Sequence, residues 1–166
     1  MIERVSEKNL DELLPLIEQY QQFYDVIGMS PAWNREFFSQ FGESSPLGCQ
    51  FIYRQNQSPV GFSTVYFCYA STIAAKVGVL NDLYVLPESR GQGIGRELIR
   101  YSYHYAISHG AVRLQWSTAC DNNQAQGLYD ALEAKKSACY FYTSNPCGLR
   151  DDNKVMPQAT GDVEGI

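Results

Sequence analysis

A glycine-rich turn between a β-prone segment and a helix is the feature of this sequence best suited to chemistry. The mainly apolar run 79–86 ends at Pro87, and glycines follow at positions 91, 93 and 95. Such a junction forms an anion site, because the unpaired N–H groups of the first helical turn point outward. Glycines let a phosphate approach the main chain closely, and the helix dipole favours negative charge there. The pattern predicts a phosphorylated ligand on residues 90 to 96.

Spacing distinguishes three kinds of phosphate-binding loop. A P-loop requires Gly-x-x-x-x-Gly-Lys-Ser/Thr, a string that this sequence does not contain. A dinucleotide-binding Gly-x-Gly-x-x-Gly fingerprint requires a glycine where this chain has Arg96. The third pattern, Arg-x-x-Gly-x-Gly, is matched by Arg90, Gly93 and Gly95. The residues that we assign to this anion-binding turn are Arg90, Gly91, Gln92, Gly93, Ile94, Gly95 and Arg96.

A second motif lies downstream of the turn. The pattern Asn-x-x-Ala-x-x-Leu-Tyr is matched by Asn122, Ala125, Leu128 and Tyr129. It follows a predicted strand over 112–117, and Asp121 or Asn122 is placed to cap the helix that it opens. At helical spacing Asn122, Ala125 and Tyr129 share one face. Taken alone, this pattern is also typical of an ordinary amphipathic helix with a core tyrosine.

In this order, and about thirty residues apart, the two motifs resemble those of the GNAT family of acetyl-CoA-dependent N-acetyltransferases. The resemblance covers residues 79 to 134, and in detail it is to histone, D-amino-acid and diamine acetyltransferases. It implies an α+β (mixed α/β) fold, in which helices flank a central, mostly antiparallel twisted sheet with a splayed strand pair.

The resemblance also implies acetyl-CoA as the co-substrate and assigns residues to it. The pyrophosphate would lie on the turn at 90–96, and the pantetheine arm would pair with Leu83, Tyr84 and Val85. The resemblance also assigns Asn122 to the residues that bind acetyl-CoA. Tyr129 becomes the acid that protonates the departing thiolate, which suits a phenol because its pKa near 10 keeps it protonated at neutral pH.

The two motifs do not identify the general base. Many related enzymes have a glutamate just before the aspartate of an Asp-Leu-Tyr-Val run, and this chain has Asn81 there. Alternation along the strand turns Asp82 to the opposite face, where we expect a structural role. Glu36, Asp25 or a chain of water molecules are the remaining candidates. Two functions therefore stay open: an N-acetyltransferase acting by direct attack in a ternary complex, and a non-catalytic acyl-CoA-binding or regulatory module.

Charge distribution bears on the class of partner. The net charge of −5 argues against a nucleic-acid surface. Residues 1–52 contain eight acidic and three basic side chains, and the resemblance places part of the acceptor site in this region. An acidic surface attracts cations, which favours a cationic amine on a small molecule or peptide. The resemblance also implies a homodimer.

Cysteine usage and hydropathy bear on the compartment. The five cysteines are scattered and form no Cys-x-x-Cys pair, which predicts no metal site and a reducing cytoplasm. No run of 18 apolar residues and no signal-peptide pattern occur, so we expect no membrane segment.

Hydrophobic periodicity predicts one domain over 1–146 and a flexible tail over 147–166. The resembling family often has Gly-Phe or Gly-Ala after the second motif helix, and this chain has Glu-Ala-Lys-Lys at 133–136, so we expect a longer helix here. The predicted elements are a strand at 2–5, helices from Leu10 and from Pro31, a hairpin over 49–70, a strand, turn and helix over 77–109, a strand at 112–117, a helix after Asn122 and a last β-rich run at 138–143.

Overall fold

The structure is a computed structural model, and it describes residues 1–132 and 134–141. Residues 142–166, which include the predicted tail, lie outside the described part. The elements are β1 (Ile2–Arg4), α1 (Leu10–Phe23), α2 (Pro31–Phe38), β2 (Gly48–Gln55), β3 (Ser58–Ala70), β4 (Ala75–Val85), α3 (Ile94–Ser108), β5 (Leu114–Gln115) and α4 (Asn123–Asp130).

The five strands form one sheet in the order β1-β2-β3-β4-β5. The first four are antiparallel neighbours, and β5 joins β4 in parallel. The turn between β2 and β3 has Asn56 and Gln57 at positive φ, the conformation that a tight hairpin requires. This sheet and its flanking helices confirm the predicted α+β fold.

Helices cover both faces of the sheet, so two hydrophobic cores form. On one face, α3 packs over the sheet around Phe51, Val65 and Leu98. On the other face, α1 and α2 pack over Ile52, Phe62 and Tyr84. None of the described helices has the length and apolarity needed to cross a lipid bilayer.

The starts of the helices follow local chemistry in the sequence. Ser30 Oγ accepts a hydrogen bond from Trp33 N, and Pro31 takes the first position of α2. Asn9 occupies the cap position of α1, but its side chain accepts from Ser6 N and makes no capping bond. Gly110 follows the end of α3 at φ 86°, as predicted for a C-terminal glycine.

Three predictions near the C-terminal end of the described chain are wrong. The strand predicted at 112–117 is shortened to the two residues of β5. Helix α4 ends at Asp130 and does not continue past Leu132, and Gly127 within it lowers its helix propensity. Residues 138–141 form no strand, and Tyr140 is 91% exposed. A β-prone composition becomes a strand only beside a matching edge, and β5 is too short to offer one.

Candidate active site

Strands β4 and β5 separate shortly after they meet. Their register contains two pairs, Gly78 with Leu114 and Val79 with Gln115. Strand β4 continues to Val85, and no described strand pairs with that edge between Leu80 and Val85. A gap therefore opens beside Leu83, Tyr84 and Val85, where main-chain groups can pair with an extended ligand. The structure thus has the splayed pair that the resemblance implied.

A bulge in β4 lies at the start of this gap. Thr64 of β3 is opposite Asp82 and Val65 is opposite Leu80, so Asn81 has no partner in the register. The extra residue reverses the alternation of side chains along β4. Leu80 therefore packs against α3, whereas Asp82 is turned to the face covered by α1. Asn81 is exposed, and Asp82 is only 7% exposed.

The predicted anion-binding turn leads into α3. Gly93 has φ 82°, and a Cβ added there would meet no atom within 4 Å. The first bond of the helix is donated by Glu97 N to Gly93 O, at 3.1 Å. The N–H groups of Ile94, Gly95 and Arg96 precede it, so they lie in the part of a helix that lacks intrahelical partners. This geometry suits a phosphate.

The side chains of the turn have different roles. Arg90 Nε donates to Val85 O at 2.9 Å, and the guanidinium lies over the Phe23 ring at 5.5 Å. Arg90 thus fixes the turn to the end of β4. Gln92 accepts a hydrogen bond from Gln55 of the hairpin, Ile94 is buried in the α3 core, and Arg96 is exposed.

Helix α4 brings Tyr129 to the same region. The Asn122 side chain accepts from Ala125 N at 3.1 Å, so it caps α4 as the spacing predicted. A Cβ on Gly95 would lie 3.1 Å from Leu128 Cδ2, which shows how closely α3 and α4 approach. Both motifs therefore meet in space.

The Tyr129 ring packs edge-on against Trp116, with 5.4 Å between ring centroids. Burial raises the pKa of Tyr129 above its ordinary value, and the neighbouring Tyr24 phenol adds to this rise. The hydroxyl is therefore protonated at neutral pH and able to donate a proton.

A row of buried polar side chains, which the sequence did not reveal, crosses the sheet on the face covered by α1 and α2. Gln50 is opposite Thr64, and Thr64 is opposite Asp82. Gln50 and Thr64 are fully buried. Within the described residues, four atoms of this polar row have no hydrogen-bond partner: Gln50 Nε2 and Oε1, Thr64 Oγ1 and Asp82 Oδ2. Buried polar atoms without partners are costly, so these four atoms call for a partner such as an ordered water molecule or a bound ligand.

Asp82 is the ionisable member of the polar row. Its Oδ1 accepts a hydrogen bond from Asn81 Nδ2 at 3.0 Å. Burial raises the pKa of this carboxyl group, although the nearby Thr64, Asn81 and Tyr20 side chains act against the rise. The other two carboxylates that we considered as bases, Asp25 and Glu36, are exposed.

Comparison with known proteins agrees with this geometry. Residues 13–133 match the model of the acetyltransferase (GNAT) family. The thialysine N-epsilon-acetyltransferase of Bos taurus is 32% identical over an alignment of 145 positions, which covers 81% of this chain and 84% of that protein. The D-amino-acid N-acetyltransferase HPA3 of Saccharomyces cerevisiae is 26% identical over 81% of this chain and 84% of its own length.

A solved structure, described as a probable acetyltransferase, superposes with a TM-score of 0.75 at 26% identity. It covers 89% of this chain, and the match spans 97% of that structure. The family model spans both motifs, and the relatives named above are N-acetyltransferases, which supports the enzyme over the non-catalytic module. The separation of β4 and β5, the glycine turn and Tyr129 of α4 lie in one region and agree with the family match. This chain therefore belongs to the GNAT family and is an acetyl-CoA-dependent N-acetyltransferase.

Proposed function

We propose that this acetyltransferase modifies cationic primary amines of small molecules or peptides, and that Tyr129 protonates the departing thiolate. The parting of β4 and β5 is the observation that carries the proposal. It leaves an unpaired main-chain edge between the anion-binding turn and Tyr129, so an extended thioester can lie along it. Acetyl-CoA has this shape, with a pyrophosphate at one end of the pantetheine arm and a thioester at the other.

Acetyl-CoA would be held mainly by the main chain. The N–H groups of the first turn of α3 and the open space at Gly93 suit the pyrophosphate. The edge of Leu83, Tyr84 and Val85 suits the amides of the pantetheine arm. The side chains of Arg90 and Asn122 make internal hydrogen bonds, so we propose that they position the turn and α4 around the co-substrate.

The acceptor would approach from the side of α1. Glu18 of α1 is exposed and forms no ion pair within the described residues, whereas Asp11 pairs with Arg35 and Glu12 with Arg54. Glu18 is therefore the exposed carboxylate of α1 that is left to attract a cation. The bovine relative is named for acetylating the N-epsilon amine of thialysine. A primary amine on a flexible chain is the acceptor class that this likeness favours.

The assay is release of free thiol from acetyl-CoA by the purified protein across a panel of amines. The panel contains thialysine, lysine, polyamines, D- and L-amino acids, aminoglycosides and lysine peptides. Turnover with lysine-like amines or polyamines is the expected result. Turnover restricted to neutral or anionic acceptors would refute the cationic class.

The oligomeric state and the compartment remain predictions. We propose a homodimer, which light scattering at two protein concentrations checks directly. We also propose a reducing cytoplasm, because Cys49, Cys68, Cys120 and Cys139 are free thiols in the structure.

A further inference from the structure

We infer that Asp82 receives the ammonium group of the acceptor and takes its proton, and that Thr64 and Gln50 of the same buried row complete this end of the acceptor site. The inference rests on the proposed function, because it names the group that makes the amine reactive. It also replaces the structural role that we expected for Asp82 from strand alternation.

The position of Asp82 beside the bulge supports this role. The bulge lies where the edge of β4 becomes free, so Asp82 is next to the point at which the thioester would begin. Asn81 donates to Oδ1, the Thr64 and Tyr20 hydroxyls lie near the carboxylate, and the buried Oδ2 makes no hydrogen bond of normal length within the described residues. A carboxylate oxygen held in this way can accept a hydrogen bond from an ammonium group.

A line of tyrosines connects Asp82 with the acid. The phenol of Tyr20 lies close to Asp82, and the rings of Tyr20 and Tyr24 are in edge contact with 5.0 Å between centroids. Tyr24 in turn lies near enough to Tyr129 to raise its pKa. Neighbouring tyrosine side chains thus link a proton acceptor with a proton donor, and acetyl transfer to an amine uses one group of each kind.

The groups facing Asp82 are neutral. They are Tyr20 from α1, Thr64 and Tyr66 from β3, and Asn81 from β4. The pKa values of Tyr20 and Tyr66 are raised by burial and by the Asp82 charge, so both phenols stay protonated in the neutral range. A carboxylate among neutral groups lacks a countercharge, and an incoming ammonium group supplies one.

Each proton that moves in the reaction has a donor and an acceptor. Asp82 accepts one proton from the ammonium group, which leaves a neutral amine. The nitrogen lone pair forms a bond to the acetyl carbon, the carbon–sulfur bond breaks, and the thiolate takes a proton from Tyr129. Tyr129 is reprotonated by the second proton lost from nitrogen, and Asp82 releases its proton to water. A lysine-like amine with a pKa near 10.4 is neutral in about one molecule in a few thousand at pH 7, so this first step is needed.

The test is Asp82→Asn, assayed with the amine that the wild-type protein acetylates. We expect kcat/KM to fall at least about 100-fold at pH 7.5, because a general base contributes on this scale. The acid limb of the pH profile should disappear. Acetyl-CoA affinity should stay unchanged. Asp25→Asn and Glu36→Gln are matched controls that remove the two exposed carboxylates, and they should keep wild-type turnover.

The thermal stability of Asp82→Asn distinguishes a catalytic role of Asp82 from a structural one. Because the folded state raises the pKa of Asp82, ionising this group costs the folded protein stability as pH rises from the unfolded pKa near 4. The neutral amide removes this cost, so Asp82→Asn should match or exceed the wild-type Tm at pH 7.5. A lower Tm together with lost acetyl-CoA binding would overturn the inference in favour of a structural role.

The remaining outcomes are also decisive. Turnover by Asp82→Asn within threefold of wild type would overturn the inference and leave the proposed function standing. If the wild-type protein acetylates none of the amines, both the inference and the proposed function are overturned. If Asp82→Asn does not fold, Thr64→Val provides the second test. It should raise the KM for the amine several-fold without changing the KM for acetyl-CoA, and an unchanged KM for the amine would overturn the inference.

Discussion

The two ends of α3 offer a matched test of the anion-binding turn. Gly93 precedes the helix with φ 82°, and Gly110 follows it with φ 86°. A Cβ at either position would meet no atom within 4 Å. Alanine at either glycine therefore introduces the same backbone strain without a clash inside the protein. The two positions differ in that only Gly93 belongs to the proposed phosphate site.

The strain can be given a magnitude. An alanine in the left-handed region costs about 1 kcal/mol relative to glycine. For a chain of this size, that cost lowers Tm by roughly 3 °C. Gly93→Ala and Gly110→Ala should therefore show similar losses of Tm in the absence of ligand.

Acetyl-CoA binding should separate the two variants. A Cβ at Gly93 would keep the pyrophosphate from the first-turn N–H groups. Loss of one or two charge-assisted hydrogen bonds costs about 1.5–3 kcal/mol, so Kd should rise roughly 10- to 100-fold. Gly110→Ala should keep the wild-type Kd. Isothermal titration with acetyl-CoA measures both, and equal Kd values for the two variants would show that the phosphate does not lie at Gly93.

Three further variants or measurements test other parts of the site. Tyr129→Phe keeps the ring against Trp116 but removes the proton, so kcat should fall at least about tenfold while Kd for acetyl-CoA is retained; unchanged kcat would remove Tyr129 from the acid role. Asn122→Ala loses the cap of α4 and should cost about 1 kcal/mol, measured by urea unfolding, whereas Asn123→Ala, one residue later, should cost less. Cys49 is fully buried and burial raises its thiol pKa to about 11, so a thiol reagent at pH 8 should modify Cys68 and Cys120 but reach Cys49 only after unfolding; rapid modification of Cys49 in the native protein would contradict the burial.

Local patterns in the sequence were enough to predict most elements. In the Arg-x-x-Gly-x-Gly turn, glycines determine the backbone conformation at the start of a helix. In the Asn-x-x-Ala-x-x-Leu-Tyr motif, the asparagine caps the helix. The structure has the turn before α3 and the Asn122 cap of α4 where these patterns placed them. Their binding and catalytic roles stay predictions.

The buried polar row could not be predicted in the same way. Gln50, Thr64 and Asp82 lie on three strands, and their proximity depends on the register of β2, β3 and β4. The sequence spacing between them carries no signal of that register. Alternation predicted that Asn81 and Asp82 face apart, but their side chains are joined by a hydrogen bond of 3.0 Å. The bulge that interrupts the alternation, and turns Leu80 away from Asp82, depends on pairing with β3.

The failed strand at 138–141 has a related cause. Its composition suits a strand, but composition says nothing about whether a neighbouring edge is in reach. The structure offers β5 with two residues, and the segment stays unpaired in the described chain. Pairing depends on distant residues, whereas helix caps and turns depend on nearby ones.

The unpaired edge of β4 also affects how the protein behaves when acetyl-CoA is scarce. An open strand edge is a template on which a strand of another chain can add, and Leu80 to Val85 is a largely apolar stretch. A ligand lying along that edge blocks such addition. Bound acetyl-CoA would then protect the protein from aggregation as well as supply acetyl groups. The rate of aggregation would depend on the concentration of acetyl-CoA.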